Sequence, residues 1–216
     1  MDGIANFDKT RFLARIKGYG IKAQVFLYKK IISTQTKGKK EAEKGAKERT
    51  IIIASRQSGG YGTRQKFWLS QKGGLWLSFI LKPQIKAEKA QFLQFLLCLA
   101  MRRALNKAFL KQLKTKFEIK PPNDILYKGK KICGILVETS IVGDIIKWAV
   151  CGIGINVNNV LPKEMQESAI SLKEILKKEI DLSDLATAFF IEFFKIYGVF
   201  LKGGKSAELK LKNWQL

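Results

Sequence analysis

Four apolar, β-branched or aromatic runs, each broken by glycine or a turn, constrain this chain more than any other feature. They are Thr50 to Ser55 (TIIIAS), Leu75 to Leu81 (LWLSFIL), Lys131 to Ser140 (KICGILVETS) and Ile145 through Cys151 into Gly152-Ile153-Gly154-Ile155-Asn156. Such runs suit a pleated, largely buried surface, so the chain must build a sheet. Gln24 to Lys29 (QVFLYK) and a short stretch from Phe117 to Lys120, halted by Pro121-Pro122, supply two further strands. Asp124 to Tyr127 and Lys131 to Ser140 flank Lys128-Gly129-Lys130, which is a hairpin signal. Lys86 to Lys111 carries Ala90, Leu93, Leu97, Met101 and Leu105 at helical spacing, and Leu182 to Leu201 also reads as helical. Ser33 or Thr34 caps an exposed, lysine- and glutamate-rich helix reaching Arg49. The expected architecture is α/β (α+β), a mixed, largely antiparallel sheet with helices packed mainly on one side.

With 216 residues the chain can bury one good core, and a single domain over 1–216 is expected. The formal charge of +22, from 40 Lys and Arg against 18 Asp and Glu, raises the local concentration of any anionic partner. A lysine-rich surface that draws in ATP or an acidic carrier accounts for it as well as nucleic acid does, and no groove-reading motif accompanies the charge. Histidine is absent, which removes Ser-His and Cys-His catalysis and histidine metal sites. Chemistry must then rest on lysine, arginine, carboxylates, backbone amides or a metal with oxygen ligands. Cys98, Cys133 and Cys151 are widely spaced in apolar contexts and suggest neither a disulfide framework nor a zinc site. The N-terminal MDGIANFDKTRF has no hydrophobic signal core and no run is long enough to span a membrane, so a cytoplasmic protein without membrane contact is expected.

The first candidate site is the loop that follows Thr50 to Ser55. Gly59, Gly60 and Gly62 lie within a dozen residues of Arg56, Arg64 and Lys66, which lets backbone approach an anion and surrounds it with charge. It is neither a P-loop, lacking Lys followed by Ser or Thr, nor a Rossmann fingerprint, whose glycine spacing differs. Alone, such a loop is a plain exposed turn as often as a ligand site.

Its company changes that balance. Gln57 to Trp68, Ser70 to Ser78 (SQKGGLWLS), Lys120-Pro121-Pro122-Asn123-Asp124, Lys131 to Glu138 (KICGILVE) and Gly152-Ile153-Gly154-Ile155-Asn156 follow in an order and spacing that resembles the catalytic domain of biotin protein ligases. The resemblance is close over residues 24–160 and loose beyond. It implies a two-step reaction: biotin and ATP give biotinoyl-AMP and pyrophosphate, and the acyl group then passes to a lysine amine. It also implies magnesium, and as partner the biotin carboxyl carrier domain of a biotin-dependent carboxylase or decarboxylase. By the same resemblance Ser33, Thr34, Gln35, Gln57, Gly60, Tyr61, Gly62, Thr63, Gly134, Gly152 and Gly154 would bind biotin. Arg64, Lys66, Trp68, Asn123, Asp124 and Asn156 would serve ATP. Lys131 would lie between the biotin carboxylate and the α-phosphate, with Asp124 and Arg64 beside it as catalytic groups. No metal ligand set is assigned. Each has a plainer alternative: Lys131 as a solvated turn residue, Asn123-Asp124 as an Asx turn, and Trp68 and Trp76 as core. The glycines of the Gly152 strand would leave room for a flat ligand.

The chain also departs from that family. The loop usually reads Gly-Arg-Gly-Arg, whereas here it is Gly60-Tyr61-Gly62-Thr63, so Arg56, Arg64 or Lys66 must compensate, or the reactive adenylate leaks. Tyr61 is a candidate for stacking on adenine. About two dozen residues precede the first strand, too few for a helix-turn-helix domain, so specific DNA binding is not expected. The chain stops at Asn213-Trp214-Gln215-Leu216, about where a barrel-like C-terminal domain begins in many members, and that domain is expected to be absent. A homodimer is compatible with this reading. Two rivals remain. A lipoate or octanoate ligase is echoed by Arg56 to Gly60 (RQSGG), though its usual His-Asp pair is impossible here. A basic nucleic-acid-binding module fits the charge alone.

Overall fold

The computed structural model describes residues 4 and 6–203; Asn213 to Leu216 lie outside the described residues. Its strands are β1 (Gln24–Tyr28), β2 (Thr50–Ala54), β3 (Leu75–Leu81), β4 (Glu118–Lys120), β5 (Asp124–Tyr127), β6 (Lys130–Val142) and β7 (Ile145–Ile155). They form one sheet in the order β1-β2-β3-β7-β6-β5-β4. Only β1 and β2 run parallel, and the helix between them, Thr34–Glu43, provides the crossover that a parallel pair requires. The remaining pairings are antiparallel, so the mixed, largely antiparallel α/β sheet expected from the sequence is what forms.

Alternate residues of each strand face opposite sides. Ile51, Ile53, Leu77, Phe79, Cys133, Ile135, Cys151 and Ile153 enter the main core. That core is closed by α1 (Lys9–Gly18), α3 (Ala90–Phe109) and α5 (Leu182–Leu201), with Leu172 of the short α4 (Leu172–Leu176) at its edge. Phe79 is its centre, with the rings of Phe190, Phe193 and Phe189 on α5 at 5.1, 5.3 and 6.3 Å. Tilted and edge contacts of this kind add about 0.5–1.5 kcal/mol each beyond burial. The opposite face carries a small cluster of Ile80, Trp148 and Val150 beneath Ala42 of α2 (Thr34–Glu43). α2 extends from this cluster over Ser78 and Gly152, where Thr34 and Gln35 meet the sheet.

Two elements differ from the sequence reading. The helix after Ser33 ends at Glu43 rather than Arg49, and it is not simply exposed: Thr34, Gln35, Gly38 and Ala42 are buried. Its lysines and glutamates lie on the outer side while small residues let the inner side approach the sheet. At Gly38 a Cβ would stand 2.7 Å from Val150 Cγ1. Residues 9–18, to which the sequence reading assigns no element, form α1. Asp8 caps it by accepting from Arg11 N at 2.9 Å, Phe12 and Ile16 are fully buried, and Arg11 and Arg15 pair with Asp181 and Asp184 at the start of α5. The β5–β6 turn is also shorter than expected. Lys128 and Gly129, at φ 49° and 79°, make a two-residue turn, and Lys130 already belongs to β6.

The close approach at Gly38 gives a direct test. Gly38→Val should destabilise the fold by about 1–3 kcal/mol through overpacking against Val150. Gly18→Ala, where nothing lies within 4 Å, should be neutral or gain up to about 1 kcal/mol of helix propensity. Urea unfolding of the two variants side by side measures the contrast.

Candidate active site

On this second face, beside α2, the strand register sets out adjacent rows. Ser78 of β3, Gly152 of β7 and Leu136 of β6 form one row; Trp76, Gly154, Gly134 and Asp124 form the next. Above these rows lies a cleft of about 480 Å³. One rim is the start of α2 and the other is the β5–β6 hairpin, whose Lys131 backbone is bonded to the segment 168–170 (Lys131 N to Ser168 O 2.8 Å, Ile170 N to Lys131 O 3.0 Å). The loop 56–68 crosses the top as a tongue. Trp68 N donates to Gly60 O at 2.9 Å and Gly62 N to Lys66 O at 2.8 Å, and Arg64 and Gln65, with φ of 56° and 58°, turn its tip.

The first row supports a neutral polar wall. Gln57 Oε1 accepts from both Thr34 N (2.7 Å) and Thr34 Oγ1 (3.0 Å), and its Nε2 donates to Ser70 Oγ (2.8 Å). The Ser78 hydroxyl lies 2.9 Å from Thr34 Oγ1 and 3.0 Å from Gln35 Oε1, either of which can take its single proton. Gln35 Nε2 donates to Val150 O at 3.0 Å, and the cap residue Ser33, which accepts from Thr36 N, completes this end. The wall is thus fixed by its own hydrogen bonds in a buried setting, where such networks are stiff.

The second row supports a charged end. Lys131 Nζ stands 2.7 Å from Asp124 Oδ1 and 4.9 Å from the centre of the Trp68 ring. Asp124 Oδ1 has no well-directed hydrogen bond, so the contact is a charge pair. Lys66 and Lys120 also line the cleft, and Asp124 is the one carboxylate among the described residues that does. Asn123 Nδ2 donates to Ile135 O at 3.2 Å, while Asn156 Oδ1 accepts from Asn159 Nδ2 at 3.1 Å, so both asparagines are held rigidly at the edge of the site. The three thiols are inert as nucleophiles: burial pushes Cys98 up to about 12, and raises Cys133 and Cys151 as well.

The glycines correct one expectation. Room for a flat group does exist over Gly134 and Gly154, but the indole of Trp68 fills it. A Cβ on Gly134 would meet Trp68 at 2.8 Å, and one on Gly154 at 2.6 Å. A Cβ on Gly152 would meet Gln35 Oε1 at 2.5 Å. Trp68 therefore lies on the cleft floor with its Nε1 buried and unpartnered, whereas Trp76 is core, donating to Gln71 O at 2.8 Å.

This layout is matched in known proteins. The biotin/lipoate A/B protein ligase family matches residues 27–156, which hold the cleft features described so far except Asn159 and the 168–170 segment. The chain belongs to that family. The bifunctional ligase/repressor BirA of Bacillus subtilis is 34% identical over 195 residues, covering 86% of this chain and 59% of BirA, so the chain spans about six-tenths of that relative's length. The biotin–[acetyl-CoA-carboxylase] ligase of Paracoccus denitrificans is 35% identical over 105 residues, covering 49% and 43% of the two chains. Among solved structures, the biotin protein ligase of Aquifex aeolicus in complex with biotin and ATP superposes with a TM-score of 0.67 at 30% identity, covering 84% of this chain and 73% of that one. The Leishmania major enzyme in complex with biotinyl-5-AMP gives 0.71 at 26% identity, covering 90% and 81%.

Of the residues carried over from the family resemblance, Ser33, Thr34, Gln35, Gln57, Tyr61, Gly62, Thr63, Lys66, Trp68, Asn123, Asp124, Lys131, Gly134, Gly152, Gly154 and Asn156 line the cleft. Gly60 and Arg64 do not. Gly60 is buried behind the tongue, where a Cβ would stand 2.7 Å from Ser70 Oγ and Trp68 O, so its role is close packing. Arg64 is exposed at the turned tip and reaches neither Lys131 nor Asp124. Of the three cations named as stand-ins for the family's loop arginines, Lys66 alone lines the cleft. Sequence reading missed Ser78 of the SQKGGLWLS block, and Met165, Ser168 and Ala169, which no motif signals, among the cleft-lining residues, and also Ser70, which does not line the cleft but holds Gln57 from behind.

The packing of Trp68 on the glycines is testable as a coupling. Gly154→Ala alone should cost about 1–3 kcal/mol, and in a Trp68→Ala background most of that cost should vanish. Equilibrium unfolding of the four proteins of the cycle measures the coupling energy, and a value near zero would remove Trp68 as the reason for the bare strand.

Proposed function

We propose that the chain is the catalytic part of a biotin protein ligase: ATP-dependent, AMP-forming, and acting on a lysine of a biotin carboxyl carrier domain. The observation that carries this reading is the order of chemistry along the cleft. A neutral hydrogen-bonding wall (Thr34, Gln35, Gln57, Ser78) is followed by an apolar stretch with Leu136 and the Trp68 indole, and then by the Lys131–Asp124 pair. Biotin has this sequence of groups, a cyclic urea, an apolar ring and chain, and a carboxylate. The dithiolane of lipoate has no N–H or C=O to meet the donor and acceptor capacity that the Gln35 and Gln57 amides and the Ser78 hydroxyl keep beyond their mutual bonds, and a site built to hydrogen-bond a ligand discriminates against one that cannot.

In the first step a biotin carboxylate oxygen bonds to the α-phosphorus of ATP and pyrophosphate leaves. In the second, a carrier lysine amine attacks the acyl carbon, AMP leaves, and the amide forms with loss of a proton. Two anions must meet in the first step, so fixed positive charge at the junction lowers the barrier. Lys131 supplies it as a compact point charge on rigid β6, while Lys66 and Lys120 face the same space. Asp124, beside the ammonium, orients it and is placed to receive an incoming amine. No group of three acidic, cysteine or histidine side chains that could cage a metal occurs among the described residues. The donor set fits a magnesium ion carried largely by nucleotide phosphates and water, with Asp124 and Asn123 at hand. Bound there, it would neutralise phosphate charge.

The family membership, the names of the relatives and the biotin- and ATP-bound structures among them support this reading. The carrier as partner rests on the relative named for acetyl-CoA carboxylase. A cytoplasmic setting suits ATP as substrate and three free, buried cysteines. No helix among the described residues is long and apolar enough to cross a membrane.

Pyrophosphate release from ATP and magnesium, with biotin or lipoate supplied separately, tests substrate and residue together. Release should require biotin and fall about 10²–10³-fold in Lys131→Ala with the far-UV spectrum unchanged. Release with lipoate alone would move the chain to the other branch of its family, and a Lys131→Ala rate near wild type would remove Lys131 from the mechanism.

A further inference from the structure

Tyr61 stands at the root of the loop tongue, and its hydroxyl donates to Glu138 Oε2 on β6 at 2.9 Å. The other carboxylate oxygen accepts from Lys39 Nζ of α2 at 2.7 Å. Lys39 Nζ lies 5.5 Å from the centre of the Tyr61 ring, which closes a triangle between the loop, the helix and the sheet. Glu138 shares its sheet row with Val150, against which Gly38 packs, so α2 and β6 are rigidly related here. Partial burial disfavours a charged Lys39, yet its ammonium is held above the usual lysine range because the bonds to Glu138 and Tyr61 outweigh that cost.

We infer that Glu138 and Lys39 are positioning residues that fasten Tyr61, and with it the 56–68 loop, across the cleft before any ligand arrives. The tongue's internal bonds, Trp68 N to Gly60 O and Gly62 N to Lys66 O, stiffen it without attaching it to the sheet. Trp68, seated on Gly134 and Gly154, attaches the outgoing strand of the tongue; Gln57, bonded to Thr34, and the Ser58 and Gly59 amides, bonded to Ile31 O and Ile32 O, hold the base of the ingoing strand, and Tyr61 attaches the part beyond Gly60 to the sheet. A charge-assisted hydrogen bond shielded by an aromatic ring is stronger than an ordinary surface contact. The consequence is that a ligand entering the cleft does not have to supply the free energy of ordering the loop, whereas entry and exit require this latch to open. The inference concerns the empty protein and holds whichever ligand the cleft takes.

Hydrogen exchange of the ligand-free protein, followed on peptides spanning 57–68, tests it with wild type, Tyr61→Phe and Glu138→Gln. Tyr61→Phe deletes one oxygen and keeps the ring. The Gly62 and Trp68 amides should exchange about five- to tenfold faster in Tyr61→Phe, the factor expected for losing one such bond, with peptides from α3 and α5 unchanged. Glu138→Gln, which loses the Lys39 pair, should move in the same direction. Biotin should slow the 57–68 peptides of Tyr61→Phe back towards wild type and change wild type little. Exchange in Tyr61→Phe within twofold of wild type, or quickening spread evenly over the whole sheet, would overturn the latch. A free-protein contrast that persists while biotin slows no peptide would uphold the latch and count against biotin as the ligand.

Discussion

Everything at this site depends on a stretch of sheet that carries no side chains. Gly134, Gly152 and Gly154 lie on adjacent strands β6 and β7 and face away from the core. Glycine ordinarily weakens a strand, because it packs nothing and costs backbone entropy. Here the neighbours recover that loss: Trp68 rests on two of the three and the Gln35 amide on the third. A loop residue and a helix residue can thus reach the sheet surface itself, which brings α2, the tongue and the hairpin into one cleft. The other face of the same strands is continuous core, and that core, centred on Phe79, gives the glycine rows the rigidity they cannot supply themselves.

The electrostatic arrangement follows from the same geometry. A chain of net charge +22 repels cations everywhere, yet Asp124 stands directly across from Gly134 and holds Lys131 at 2.7 Å. Because Gly134 projects nothing between them, the ammonium can lie flat over the floor, with a Lys131 methylene 3.3 Å from where a glycine Cβ would be. A partly desolvated lysine beside an aromatic face and a carboxylate has few rotamers open to it, which is what placing one charge at a reacting centre requires.

How much of this was legible in the sequence varies with the physics. Strands with β-branched runs were plain, since burial on both faces writes itself as continuous apolar sequence. The short helix α1 was hidden because only two apolar residues, Phe12 and Ile16, carry its packing, and the partners of Arg11 and Arg15, Asp181 and Asp184, are far away in sequence. The α2 helix looked exposed because its charged outer face outnumbers its inner one, and small residues such as Gly38 signal proximity only once a partner is known. Site residues were legible where motifs fixed them, as at Gln57, Asp124 and Lys131. The placement of Arg64 at a left-handed tip, away from the cleft, depends on backbone torsion that no composition argument supplies.

Tyr61 shows how a departure from a family's pattern becomes intelligible only through its partners. Read as sequence, a tyrosine where the family carries arginine is a missing cation, and stacking on a base is the natural substitute. In the structure its hydroxyl is committed to Glu138, and the positive charge at that place belongs to Lys39, on a different element. Lys39 stays with α2 and is paired with Glu138, so the anchor that the Tyr61 hydroxyl meets belongs to the helix and the sheet and does not travel with the loop. The tyrosine then works as a neutral hydrogen-bonding latch on the Glu138 carboxylate, and Lys66 remains the loop cation that lines the cleft.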